Sequence, residues 1–388
     1  MSVCKAWVEP ARLLLWREFR LTTHLRVRQL ASIEDGPFHH IRHMEISIPH
    51  QQSSSSLYKN LESILTRLPP SLKSFAASLP EYKASGPEGR VTLFDLLYLR
   101  PQIHISTKSL AFAFPSELYD ISKIISRFNG LTELTIQVDP LAHKYQYHSS
   151  APMTNVRLRK LHLDLLQKDM LPGQDSHTSH ADNLAKLLTP ACTHLEYLKI
   201  TMTDTTEDIW YRFNRLYNLG SHSLTHLELV YKDLIPGRQA YTCVPALDPR
   251  AYSTADPNPF PNLDTLILHE FGISVNLIAA LGPSNLRTLK MVVPPKEGMG
   301  DGWEEPDVVL QVLELLPNLE RLEVRFASLS STMFEAIRVR KRRGAFETRK
   351  MWAAVEEDER VKVFHPDIVE EKKPAVPMVD DFDDDDLL

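Results

Sequence analysis

A short rhythm of apolar and variable positions returns along most of the chain: apolar, two variable, apolar, one variable, apolar. Clean copies are Leu131-Thr-Glu-Leu134-Thr-Ile136, Leu158-Arg-Lys-Leu161-His-Leu163, Leu195-Glu-Tyr-Leu198-Lys-Ile200 and Leu224-Thr-His-Leu227-Glu-Leu229. Leu263-Asp-Thr-Leu266-Ile-Leu268, Leu286-Arg-Thr-Leu289-Lys-Met291 and Leu319-Glu-Arg-Leu322-Glu-Val324 follow. Upstream, Ile41-Arg-His-Met44-Glu-Ile46 is a weaker copy, and Leu72-Lys-Ser-Phe75 and Leu110-Ala-Phe-Ala-Phe114 read as eroded ones. One copy means little, because Leu is abundant, but seven mark an internal repeat. The last four positions alternate with period two, which predicts a short strand with one inward and one outward face. Between copies, residues 116–128, 181–188, 206–219, 275–281 and 306–316 change to helical spacing. Pro and Asn mark the joints, as in Phe260-Pro261-Asn262-Leu263 and Leu316-Pro317-Asn318-Leu319. Each unit is thus a helix followed by a strand.

Such alternation fits two architectures. A doubly wound sheet buries both faces, so its strands read as continuous apolar runs. The strands here carry Glu, Lys, His and Arg at alternate positions, so one face meets water. The expected fold class is therefore α/β: a curved parallel sheet with helices on its convex side only. The stretch from Ile41 to Val324 resembles the leucine-rich-repeat family, and the resemblance implies a horseshoe-shaped solenoid. The repeats are degenerate. First leucines are 23 residues apart between Leu263 and Leu286 but 39 apart between Leu224 and Leu263. The Asn common after the strand is replaced by Asp139, Leu166, Thr203, Lys232 and Phe271. An uneven horseshoe with helical outer segments is expected.

The chain opens Val3-Cys4-Lys5-Ala6-Trp7 and continues Leu13-Leu14-Leu15-Trp16-Arg17. The order and spacing of Cys4, Lys5, Trp7, Leu15 and Trp16 resemble the second half of an F-box: a helix, a break, then a segment leading to a strand. The resemblance implies a substrate-recognition subunit of a cullin–RING ubiquitin ligase. In it Cys4, Trp7, Leu14, Leu15 and Trp16 contact a Skp-type adaptor, and a protein substrate binds the repeats. The Leu-Pro-x-Glu-Ile/Leu segment that opens an F-box is absent from the sequence, so this F-box reads as N-terminally truncated and adaptor binding is expected to be weak. The alternative is a non-catalytic interaction scaffold with a vestigial F-box, in which Trp7 and Trp16 cap the open end of the array.

Period-two geometry assigns the variable strand positions to the open face. The outward set is Lys160, His162, Asp164, Tyr197, Lys199, His226, Glu228, His269, Lys290, Arg321, Glu323 and Arg325. This mixed-charge stripe suits a protein partner, and it lacks the aromatic rows that stack single-stranded nucleic acid. Substitutions at Lys199 or Glu228 are expected to cost under about 0.5 kcal/mol, as exposed positions do.

Composition narrows the choice further. The net charge of −6 over 388 residues argues against a nucleic-acid binder. Cys4, Cys192 and Cys243 are far apart, so neither a disulfide framework nor a zinc ribbon is expected, and the compartment reads as cytosol or nucleus. The sequence offers no signal peptide and no apolar run long enough for a membrane span. His39, His40 and His43, with His177 and His180, lack the Glu and Cys partners of a metal site and read as solvated. Phosphate-binding glycine loops and nucleophile-elbow motifs are missing, so a non-enzyme without cofactor or metal is expected. Three features remain open between readings. Residues 338–343, with five basic side chains, are a nuclear-localisation signal, a contact for an acidic partner or a solvated helix face, on a final helix from about 334 to 355. The Pro-rich insertion from Lys232 to Pro261 is a binding loop or a disordered excursion. The acidic run Asp380–Asp386 screens the basic cluster, binds a basic partner or merely solubilises. The expected organisation is a partial F-box-like segment (1–30), a repeat solenoid with a C-terminal helical cap (31–364) and a disordered acidic tail (365–388).

Overall fold

The structure, a computed structural model, describes residues 5–33, 37–48, 55–78, 82–83, 90–91, 107–113, 125–138, 153–165, 184–203, 216, 219–232, 260–269, 285–293, 313–326 and 357–364. Helix α1 spans Lys5–Arg17, α2 His24–Ser32 and α3 Ser55–Arg67. The strands are β1 (Glu18–Leu21), β2 (His43–Ser47), β3 (Ser74–Ser78), β4 (Tyr82–Lys83), β5 (Arg90–Val91), β6 (Ser109–Ala113), β7 (Glu133–Val138) and β8 (Lys160–Leu165). They continue as β9 (Tyr197–Thr203), β10 (His226–Lys232), β11 (Thr265–His269), β12 (Thr288–Val293), β13 (Arg321–Phe326) and β14 (Val361–Phe364). Twelve form one sheet in the order β1-β2-β3-β6-β7-β8-β9-β10-β11-β12-β13-β14. Every neighbouring pair in it is parallel. The pair β4–β5 is antiparallel and forms a sheet of its own. The strand order follows the chain without reversal, unlike a doubly wound sheet, whose order turns back at a switch point.

The register follows the apolar rhythm. Leu134, Leu161, Leu198, Leu227, Leu266, Leu289 and Leu322 stand opposite one another, and Ile136, Leu163, Ile200, Leu229, Leu268, Met291 and Val324 form the next row. The leading leucines lie just ahead of the strands, and all three rows are buried. Each buried Leu is worth about 1.5–3 kcal/mol over leaving it in water, so these rows supply most of the cohesion.

Three copies differ from the expected frame. Leu110 stands opposite Phe75 and Leu134, so this copy reads Thr107-Lys-Ser-Leu110-Ala-Phe112. Thr107 takes the leading position, buried, and its hydroxyl donates to the Leu72 carbonyl at 3.4 Å. A small polar residue fits there because that carbonyl accepts its proton. Strand β1, the strand expected after the Leu-Leu-Trp-Arg segment, is itself a copy, Trp16-Arg-Glu-Phe19-Arg-Leu21, in register with β2. At the other edge, Val361 and Val363 of β14 extend the rows of Leu322 and Val324, an addition to the expected set.

The joints explain their Pro and Asn. Asn262 Nδ2 donates to the His222 carbonyl at 2.6 Å, and Asn285 Nδ2 to the Pro261 carbonyl at 2.9 Å. Each Asn therefore satisfies a carbonyl in the turn of the preceding unit, outside the strand ladder. In the turn before β10, Gly220 has φ +67°, and a Cβ there would lie 2.6 Å from Leu195 Cβ and 2.8 Å from the Cys192 carbonyl oxygen. Only glycine fits that turn.

The N-terminal break is not present. α1 runs continuously through Pro10, although proline lacks the N–H that would bond one turn back. Arg67 ties α3 to α2: its Nη2 donates to the Ala31 carbonyl at 2.9 Å, its Nη1 to the Ile33 carbonyl, and its guanidinium lies 4.4 Å over the Phe38 ring. These are the orphan carbonyls at the end of α2. Arg67→Ala is expected to cost about 1.5–3 kcal/mol in chemical denaturation. Arg67→Lys should recover little of it, since an ammonium cannot reproduce the planar fork. Residues 184–188 and 313–315 are helical, within two expected helices. The expected helices over 275–281 and 334–355, the basic cluster, residues 233–259 of the insertion and the acidic tail lie outside the described residues. Among the described residues, no helix is long and apolar enough to cross a membrane.

Candidate functional site

The same register that buries the leucines sets the alternate positions in three outward rows. The first runs Glu133, Lys160, Tyr197, His226, Thr265, Thr288, Arg321. The second runs Thr135, His162, Lys199, Glu228, Ile267, Lys290, Glu323, Lys362. The third runs Gln137, Asp164, Thr201, Val230, His269, Val292, Arg325. All twelve residues assigned outward from the sequence stand in these rows. The side chain of Arg325 lies outside what is described.

Facing outward does not mean exposed. Glu228 is buried, and three neighbours hold its carboxylate. Lys199 Nζ donates to Oε1 at 2.7 Å, His269 Nε2 lies 3.2 Å from the same oxygen, and the Tyr197 hydroxyl donates to Oε2. The His269 bond above all, with Lys199 and Tyr197, outweighs the cost of burial and holds the Glu228 carboxyl down at about 2. Burial and then the Glu228 carboxylate push the Tyr197 phenol up, so it stays a donor. A second glutamate, Glu323, is only 2% exposed; Arg321 pairs with it and Lys290 Nζ lies 3.8 Å away. The expectation that Glu228 behaves as a free surface residue is therefore corrected: strands about 4.8 Å apart crowd long side chains of one row over one another.

The rest of the face is wired more loosely. Lys160 pairs with Glu133 at 2.9 Å and half-exposed, a geometry worth little. His162 Nε2 lies 2.9 Å from Thr201 Oγ1, and the rings of Tyr197 and His226 stand 6.4 Å apart. Asp164 differs: its Oδ1 is buried with no hydrogen-bond partner, the one such side-chain atom among the described residues. An unmade hydrogen bond of this kind costs about 1–3 kcal/mol. Chemically the face is a set of fixed donors and acceptors. Among the described residues no three His, Cys, Asp or Glu side chains gather as for a metal ion. Cys192 is buried, its thiol pushed up to about 12 by desolvation, and so is unreactive.

The five residues assigned to the adaptor divide. Trp7, Leu14 and Leu15 are 69%, 71% and 73% exposed. With exposed Ala11 they take positions i, i+4, i+7 and i+8 of α1, one face of the helix. Trp16 instead packs on the core and stacks on Phe19, centroids 5.2 Å apart. Cys4 lies outside the described residues. The chain matches no protein-family model and no curated protein.

Proposed function

We propose that the chain is a substrate-recognition subunit of the F-box type, a degenerate leucine-rich-repeat solenoid whose first helix meets a Skp-type adaptor of a cullin–RING ubiquitin ligase. Its outward rows take a protein substrate, in the cytosol or nucleus. One observation carries this reading: α1 leaves a tryptophan and two leucines on one face in water beside a well-buried sheet. Contiguous exposed apolar side chains of this size mark contact sites, and aromatic anchors dominate such contacts. Periodic copies of the leucine rhythm along an all-parallel sheet in chain order support the solenoid.

One observation favours the scaffold reading. Trp16 stacks on Phe19 at the β1 edge, which serves a cap as well as an adaptor. Calorimetry with a purified Skp-type adaptor separates the two. Weak, roughly micromolar binding is expected, since area and affinity do not scale simply. Trp7→Ala and Leu14→Ala should each weaken it at least tenfold without changing the thermal midpoint. A Leu-Pro-x-Glu-Ile helix added upstream should strengthen it at least tenfold, about 1.4 kcal/mol. If that extended, folded chain ignores the adaptor, the scaffold reading replaces this one.

A further inference from the structure

We infer that Asp164 anchors a cationic side chain, lysine or arginine, of the protein segment that binds the outward face. The inference rests on the reading of that face as a protein-binding surface, and it names the chemistry of what binds.

The carboxylates of this face fall into two kinds. Glu228 and Glu323 each have cations of the chain itself against them. Among the described residues Asp164 has none, and its buried Oδ1 accepts no hydrogen bond. The register explains why. Its neighbours in the row are Gln137 and Thr201, both uncharged. The nearest ammonium in the next row, that of Lys199, is drawn the other way, to Glu228 at 2.7 Å. The nearest imidazole, His162, turns its Nε2 to Thr201 Oγ1 at 2.9 Å. The described cation and imidazole that stand closest in the register, Lys199 and His162, are thus directed elsewhere, and Oδ1 keeps its accepting capacity at mid-sheet. A carboxylate in this state binds an ammonium or guanidinium more tightly than an exposed one does, because little water must be displaced and charge-assisted bonds are strong. Neutral donors gain less, and anions are repelled.

The first test needs no partner. If Asp164 is held for a ligand, the unbound fold is strained by it, and Asp164→Asn should raise the thermal midpoint by a degree or more. A lowered midpoint would mean that the carboxylate supports the fold, and would overturn the inference. The second test selects a random dodecapeptide library against the full chain. Peptides that require Lys or Arg are expected, with affinity reduced at least tenfold by Asp164→Asn and by less than twofold by Arg159→Ala. Selected peptides with no basic requirement, or basic ones indifferent to Asp164→Asn, overturn it while leaving the protein-binding reading intact. If the folded chain selects no peptide, the binding-face reading itself fails and the cation site with it. Adaptor binding through α1 is measured separately and is unaffected by any of these outcomes.

Discussion

Leu198→Ala and Leu227→Ala are each expected to lower stability by about 2–5 kcal/mol, the range of buried leucines cut back to alanine. The two residues face each other across β9 and β10 and are essentially without solvent contact. Each substitution removes three carbons from a fully buried row of the core. Little else can move in, so the cavity term adds to the lost transfer energy. Chemical denaturation gives the magnitude. Amide exchange gives the location, with protection lost first in β8 to β11 and least in β2. Because the two residues are in contact, the double variant should cost less than the sum. A cost under about 1 kcal/mol for either would mean that the leucine rows are not the core.

The second large effect lies on the opposite face. Glu228→Ala should cost about 2–3 kcal/mol at neutral pH, since it strips charge-assisted bonds from Lys199, Tyr197 and His269 at once. Lys199→Ala should cost less, because two donors remain on the carboxylate. Acid provides an independent check. In the folded chain the Glu228 carboxyl is held at about 2, whereas its ordinary value is 4.5. Between those values the unfolded chain carries the extra proton, so stability falls as pH drops from about 5 to 2 and is fully present above. That difference corresponds to about 3 kcal/mol. The gap between the wild-type chain and Glu228→Gln should therefore be widest at pH 7 and nearly close by pH 2. A gap that does not change with pH would show that Glu228 is not held ionised by its partners.

How far the sequence reveals this molecule depends on what each position has to satisfy. The inward rows are plain in the sequence because solvent exclusion demands an apolar side chain at every copy, and a strand of period two spaces them rigidly. The frame slips where another interaction takes over that demand. Thr107 replaces a leading leucine by finding a carbonyl, and Asp358 stands three residues before Val361 where most copies have Leu. Neither position repeats the rhythm, so the frame of β6 and the existence of β14 were not legible. Direction on the outward face was legible for the same geometric reason as the core. Burial was not. Glu228 is covered by Lys199, 29 residues earlier, and by His269 in the following unit. No local window contains all three, and only the register brings them together. The Asn at the joints were visible as punctuation, but their task, bonding the previous turn, needs that turn in place.

The strand order has a consequence for how the chain is made. In the sheet each strand pairs with the strands nearest to it in sequence, so none waits for a distant C-terminal partner. As the chain leaves the ribosome, each new unit meets a template that is already exposed and ordered, the edge of the last strand formed. Growth is then stepwise from β1, and at every moment the growing edge is that of the last strand formed. A ribosome-stalled chain ending after β10 should already protect β2 to β9, and the edge it presents to other chains is the one that the next thirty or so residues will cover.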